Sequence, residues 1–334
     1  MSQRRVSIVQ VLLILVIAFL VTWLSRLFVI ELYTVAPLQM ENTLLPGDRV
    51  LVEKWHYGAR LPQYCFSIPG VDTIPGTDIP AHIPSQPLPY RRCALKQVER
   101  NDVIVYNYPT GKSCPIAQYP TAMARCIGVP GDTVKALNGS LFINGEPSAQ
   151  SPVVTEAYLV ADTVLLQVED AMRDALGEIL PKQQLGSTYL FYIDRYRYDK
   201  LCEVLPPTIH LQQVQLAYDN YTIDLPPVDR DAVVTPQNAA FYARIINQYE
   251  PHKVQLCGDA LYRGGRKIER YRFTQPYYWV LCDNRTAATD SRVFGVLPHS
   301  HVIGRCGIIL FSIDASQTGV SSWRINRFFQ YRRL

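Results

Sequence analysis

The sequence is poor in the features that mark several large functional classes. Its eight cysteines form no CxxC pair, and its six histidines form no HExxH or other ligand spacing, so no metal and no cofactor is implied. Charged residues make up only 19% of 334 residues and net charge is +4. With no long basic run, a nucleic-acid partner is excluded. No internal repeat and no low-complexity tract is present, and at 48% hydrophobic the chain is too apolar for disorder and long enough to bury an ordinary core. Two local absences matter most. No serine occurs between Arg26 and Phe66, and no lysine or histidine between Ser113 and Val134.

What is present begins with an apolar N-terminus. Behind Arg4 and Arg5 runs Val6 to Leu24, uncharged, with Ser7, Gln10 and Thr22 as its only polar residues. As a helix it reaches roughly 28 Å, close to the hydrocarbon thickness of a bilayer. The run exceeds a signal-peptide h-region, and Thr22-Trp23-Leu24 offers no small-x-small cleavage site. A retained transmembrane anchor over 6–24 is expected, with residues 1–5 as a cytoplasmic tip and the rest outside the cytoplasm.

After the anchor, strand texture from Tyr33 to Val52 is broken at "PL" and "PGD". Residues 61–90, dense in proline and glycine, read as an irregular excursion. Strand signals resume over 102–109, 131–137 and 140–145, and Asn138-Gly139 predicts a tight hairpin between the last two. Residues 146–272 differ in texture. Val164, Val168, Met172, Ala175 and Ile179 share one helical face, as do Phe241, Ile245 and Tyr249, predicting amphipathic helices over 162–180 and 238–250. Strand texture returns in "RYRFTQPYYWVLCDN" and "VIGRCGIILFSID". A β body over 30–145 and 273–334, interrupted by an inserted α+β second lobe over 146–272, is the resulting organisation. Cys65, Cys93 and Cys114 sit in one loop-rich region, where disulfides and buried thiols are both open readings. The tail "SSWRINRFFQYRRL" sets Arg324, Arg327, Arg332 and Arg333 beside Trp323, Phe328 and Phe329, a composition suited to anionic lipid headgroups or to a plain surface helix.

Five ordered segments resemble the type I signal peptidases, the serine–lysine enzymes that remove signal peptides from exported proteins. They are the anchor, "LQMENTLLPGDRVLVEKWHYG", "VERNDVIVYNYPTG", "AMARCIGVPGDTV" and "CDNRTAATDSRVFGVLP". The resemblance implies a mainly β fold, with a signal-peptidase-type antiparallel sheet body, an N-terminal transmembrane helix and the inserted lobe, located at the inner (cytoplasmic) membrane with its main domain on the periplasmic side. It covers the anchor and the β body, and the insertion more loosely.

Position by position, the resemblance implies a disabled site. Aligned through Met40, Thr43, Leu44, Gly47 and Asp48, Gln39 stands where the family has its serine nucleophile, and a carboxamide cannot replace that hydroxyl. Pro37 stands at the oxyanion-hole hydroxyl. Aligned through Arg125, Gly128, Pro130, Gly131 and Asp132, Ala124 stands at the general-base lysine, and a methyl group accepts no proton. Ala288 replaces the serine that orients that lysine, and Cys282 replaces a glycine. Thr43 is the nearest hydroxyl to a substitute nucleophile, with Lys54 or His56 as distant bases.

The frame around those positions is retained. Arg125, Asp283, Asp290 and Arg292 match charged positions that pair to brace the fold. Tyr33, Val35, Met40, Leu44, Val50 and Met123 align with pocket walls that accept the residues before the cleavage site, and equally suit a core. Trp55 and Tyr57 are candidates for an apolar surface at the membrane. The expected function is a membrane-anchored, catalytically inactive signal peptidase homologue of the export pathway, touching membrane lipid, binding signal peptides or partnering an active paralogue. The alternatives are an active signal peptidase I using non-standard residues, and a structural subunit of an envelope complex.

Overall fold

The protein was analysed as a computed structural model, which describes residues 8–35, 40, 43–58, 60, 92, 96–109, 116, 119–137, 139–148, 154–214, 220–286, 290–314, 317 and 319–331. Pro37, Gln39, Ala288, Cys65, Cys93 and Cys114 lie outside the described residues, as do Arg332 and Arg333 of the tail.

Helix α1 covers Ile8–Phe28. Its described aliphatic side chains, Val9 through Val21, remain exposed. Among the described residues no helix is long and apolar enough to cross a membrane, so the expected span is not confirmed.

The body is a mainly antiparallel β structure. Its central sheet joins β1 (Ile30–Thr34), β2 (Asp48–Glu53), β3 (Val103–Asn107) and β4 (Thr121–Gly128) to the later strands Tyr277–Leu281, Leu297–Pro298 and Val302–Ser312. Val302–Ser312 inserts between β2 and β3, and Tyr277–Leu281 pairs with β4. Both faces of this sheet are covered, which is why "VIVYN" in β3 is buried at every position instead of alternating.

Strand alternation still sorts the side chains between two cores. Val103, Val105 and Met123 join Val35, Met40, Leu44 and Val50 on one face. Ile104, Tyr106, Ala122, Ala124 and Cys126 join Tyr57, Val280, Cys282 and Phe294 on the other. Each fully buried Val or Ile of β3 contributes about 1.5–3 kcal/mol of transfer free energy.

The predicted hairpin forms, with β5 (Thr133–Leu137) pairing β6 (Ser140–Ile143) in a register that sets Leu137 opposite Ser140. Gly139 takes the positive φ of 79° that the two-residue turn requires. Both predicted helices form with trimmed ends, over Leu165–Leu176 and Ala239–Tyr249. Ile179 falls beyond the first, because Gly177 ends it in the left-handed conformation.

The two helices serve different cores. Leu165–Leu176 packs with Arg195–Val204 and the strands Thr155–Ala161 and Thr188–Asp194 around Val168, Met172, Phe191 and Leu201. Ala239–Tyr249 instead packs Tyr242, Ile245 and Ile246 against Ile127, Val134 and Trp279 of the body. Tyr221–Asp224 likewise adds to the body as a strand beside β5.

Candidate functional site

Of the positions that resemble a catalytic centre only Ala124, in β4, is among the described residues; its neighbour Arg125 is joined through Asp283, after Leu281, to the turn that ends at Thr43 and Leu44. Thr43 and Leu44 close the turn by donating their backbone N–H groups to the Met40 carbonyl. Asp48 holds the turn's far end by accepting from the Leu45 N–H at 2.8 Å. It also receives Arg327 through Nη2 at 2.6 Å and Nε at 3.1 Å, and Nη2 of Arg327 reaches the Thr43 carbonyl at 3.3 Å. This buried pair ties the C-terminal tail to the turn.

At the centre lies Asp283, fully buried. Arg125 of β4 grips it bidentately, with Nε to Oδ1 at 2.8 Å and Nη2 to Oδ2 at 2.6 Å. The Thr43 hydroxyl donates to the same carboxylate at 2.6 Å. Asp290 accepts from the Cys282 N–H at 3.0 Å and from Arg292 at 2.9 and 3.0 Å. Arg125–Asp283 therefore bridges β4 to the last motif, whereas Asp290–Arg292 closes within that motif. Such planar, two-point guanidinium–carboxylate contacts fix orientation as well as distance.

Ala124 sits in β4 with no exposed surface, inside the core shared by Ile104, Tyr106 and Val280. β4 pairs Tyr277–Leu281 with Val280 opposite Cys126 and Leu281 opposite Arg125. Cys282 follows directly on that strand and shares the buried cluster of Ala124, and its thiol reaches the Met123 carbonyl at 3.9 Å. The space beside the Ala124 methyl is thus taken by apolar side chains and a sulfur.

Among the described residues this geometry offers Thr43 no base. Its proton goes to a carboxylate already neutralised by Arg125, and its backbone and side chain are buried. Lys54 pairs with Glu31. His56 lies 3.8 Å from Glu53 and 3.5 Å from Arg305, and burial, followed by the Arg305 charge, lowers its pKa. Neither cation bonds to Thr43. Among the described residues no group of His, Cys, Asp or Glu is arranged to hold a metal ion.

Of the aligned pocket-wall residues, Val35, Met40, Leu44, Val50 and Met123 form one buried cluster, with Tyr33 packed partly exposed at its edge. Tyr57 departs from the expected membrane-facing position: it is fully buried, and its hydroxyl donates to Asp102 at 2.7 Å. Trp55 is exposed. Tail arginines also turn inward, Arg327 to Asp48 and Arg324 to Asp314 at 3.0 Å, while Ile325 and Phe329 stay exposed. Sequence reasoning missed the Asp48–Arg327 tie, since nothing local joins residues so far apart in the chain. It also missed the bond between Thr43 and Asp283.

Asp132, in the "PGD" after β4, caps the same frame. It receives Arg100 at 2.9 and 2.5 Å, the Val129 N–H at 3.0 Å and the Asn144 amide at 3.0 Å. Burial alone pushes its carboxyl pKa up, but these donors outweigh burial and hold it below the usual carboxylate range.

The model of a family described as signal peptidase, peptidase S26 matches residues 8–197 and 212–311, most of the chain. A signal peptidase I of Pseudomonas aeruginosa is 31% identical over 143 residues, 42% of this chain and 40% of that protein. The match to signal peptidase I of Pseudomonas fluorescens has the same identity and coverage, so the chain spans about two-fifths of the length of these relatives. Signal peptidase I of Buchnera aphidicola is 20% identical over 320 residues, 95% of this chain and 81% of its own. A crystal structure of a signal peptidase I from Enterococcus faecalis matches 64% of this chain and 98% of that chain at 16% identity, with a TM-score of 0.26. A superposition that loose carries no argument.

Proposed function

The chain belongs to the S26 signal peptidase family, and from that premise we propose that it is a catalytically inactive member that binds extended segments of exported proteins, or assembles with an active peptidase of its own kind. The observation that carries this reading is the surroundings of Ala124. Where the resemblance implies a general-base amine there is a buried methyl, in one cluster with Cys282, Ile104 and Tyr106. The committed Thr43 hydroxyl supports the same reading.

Acyl transfer needs a nucleophile activated by a base within about 3 Å. A chain lacking both groups retains a fold and a frame but no route to the tetrahedral intermediate. The frame itself is intact through Arg125–Asp283, Arg292–Asp290 and Arg327–Asp48.

The same proposal places α1 in a bilayer. Support comes from the uncharged run Val6 to Leu24 and from the exposed aliphatic side chains of α1, a surface suited to lipid. The main domain then stands at the outer face of the inner membrane, with Trp55, Ile325 and Phe329 as exposed apolar groups for the interface.

The test uses a photocrosslinking residue in place of Tyr33, at the exposed edge of the cluster, with a radiolabelled signal peptide added to the detergent-solubilised protein. A saturable crosslink competed by unlabelled peptide is expected. Absence of crosslinking at every peptide concentration would remove the peptide-binding reading.

A further inference from the structure

Among the described residues, one guanidinium in the body has a buried nitrogen without a hydrogen-bond partner. Nη1 of Arg285 is shut off from solvent and meets no hydrogen-bond acceptor. Buried guanidinium groups are ordinarily paired, because stripping water from an uncompensated charge is costly. The nearby carboxylates are already engaged, Asp290 by Arg292 and Asp283 by Arg125. Burial, followed by the charge of Arg292, lowers the Arg285 pKa.

Arg285 lines a partly open cavity of about 50 Å³, together with Arg292, Tyr221, Glu156, Gln213 and Thr286. A cavity needs roughly 10–15 Å³ by this measure to hold one water, so the space suits a single carboxylate-sized group. Tyr221 accepts from the Trp279 indole N–H at 3.0 Å, which leaves its own O–H to donate, and burial raises its pKa so that the proton stays. Glu156 has one oxygen taken by the Tyr158 hydroxyl at 3.0 Å. Its negative charge opposes an anionic ligand, and a dianion about twice as strongly as a monoanion.

We propose that this cavity is a binding site for a singly charged carboxylate, held by the Arg285 guanidinium in the positive field of Arg292 and met by the Tyr221 hydroxyl. The inference is independent of whether the chain binds signal peptides, since it rests on the cavity and not on the Met40–Met123 cluster. A free small carboxylate and the C-terminal carboxylate of a peptide share the required chemistry.

The experiment is thermal unfolding of the full chain in detergent, titrated with sodium acetate at ionic strength held constant by sodium chloride, for wild type, Arg285→Met and Arg285→Lys. Inorganic phosphate is the dianion comparison, and a short peptide with a free or an amidated C-terminus distinguishes the two carboxylate sources. In the wild type, acetate raises the midpoint saturably by about 2–4 °C near saturation; Arg285→Met shows no rise and Arg285→Lys a smaller one. A rise with the free-acid peptide only, or with acetate as well, supports the site and identifies its source. No saturable rise in the wild type with either acetate or the free-acid peptide, the same rise in Arg285→Met, or a larger rise with phosphate than with either carboxylate overturns it. Calorimetric titration of acetate gives the same decision if Arg285→Met does not fold.

Discussion

Restoring a lysine at Ala124 probes the closed space around that residue. Ala124→Lys adds three methylenes and an amine at a position with no exposed surface. Overpacking of this kind costs about 1–3 kcal/mol. The amine must also shed its proton or be buried charged. Neutralising a group of pKa about 10.4 at pH 7 costs roughly 4–5 kcal/mol, at about 1.4 kcal/mol per unit. The sum, about 5–8 kcal/mol, is comparable to the whole stability of a typical domain. Because Cys282 lies in the same buried cluster as Ala124, Cys282→Gly opens room for the new side chain. The double variant is therefore expected to be about 1–2 kcal/mol more stable than the sum of the single effects.

The pH dependence has a definite sign. A lysine kept neutral in the fold and charged when unfolded leaves the unfolded state holding more protons, so the penalty shrinks as pH rises from 7 towards 10. Denaturant unfolding of the four proteins at pH 7 and pH 9 measures both effects. Additivity within about 0.5 kcal/mol, or a penalty independent of pH, would refute the packing argument.

Asp283→Asn leaves Arg125 buried without a charged partner and is expected to cost about 3–5 kcal/mol, read as a drop in denaturant midpoint; a loss under 1 kcal/mol would contradict the bidentate grip. Thr43→Ala removes one charge-assisted hydrogen bond, with an expected loss of about 1.5–3 kcal/mol that Thr43→Ser largely restores. Asp132→Asn is expected to cost about 1 kcal/mol at neutral pH, a figure held down because Arg100 is nearly half exposed. Its carboxyl has a depressed pKa in the fold, so the stabilisation is present above the unfolded value of about 3.9 and disappears as pH falls through the folded value; unfolding series from pH 6 to pH 2 for both proteins should converge at the acid end. Arg327→Ala is expected to release the tail from the turn, seen as faster amide exchange at Leu45 and Asp48.

Periodicity and turn chemistry carried much of the architecture. The hairpin at Asn138-Gly139 and both amphipathic helices were legible because local signals decide them. The resemblance marked Arg125, Asp283, Asp290 and Arg292 as charged positions of the frame, but not which of them pairs with which. The destination of each helix was not legible: Ala239–Tyr249 carries the same apolar period as Leu165–Leu176, yet packs on Ile127 and Trp279. Periodicity reports that a face is buried, not against what. Tyr57 was misjudged for a related reason, since an aromatic beside Trp55 looks the same from sequence whether its hydroxyl meets lipid or Asp102. Long-range ties such as Asp48–Arg327 leave no trace in local pattern at all.

The central claim is that this member of the family carries out no peptide-bond cleavage. Purified full-length protein should be incubated in detergent with an exported preprotein, beside an active signal peptidase as control, and cleavage followed by time course. Product at the rate of a no-enzyme control is the expected result. Cleavage at the signal junction at a rate approaching the control enzyme, proportional to protein concentration and lost in Thr43→Ala, would contradict it.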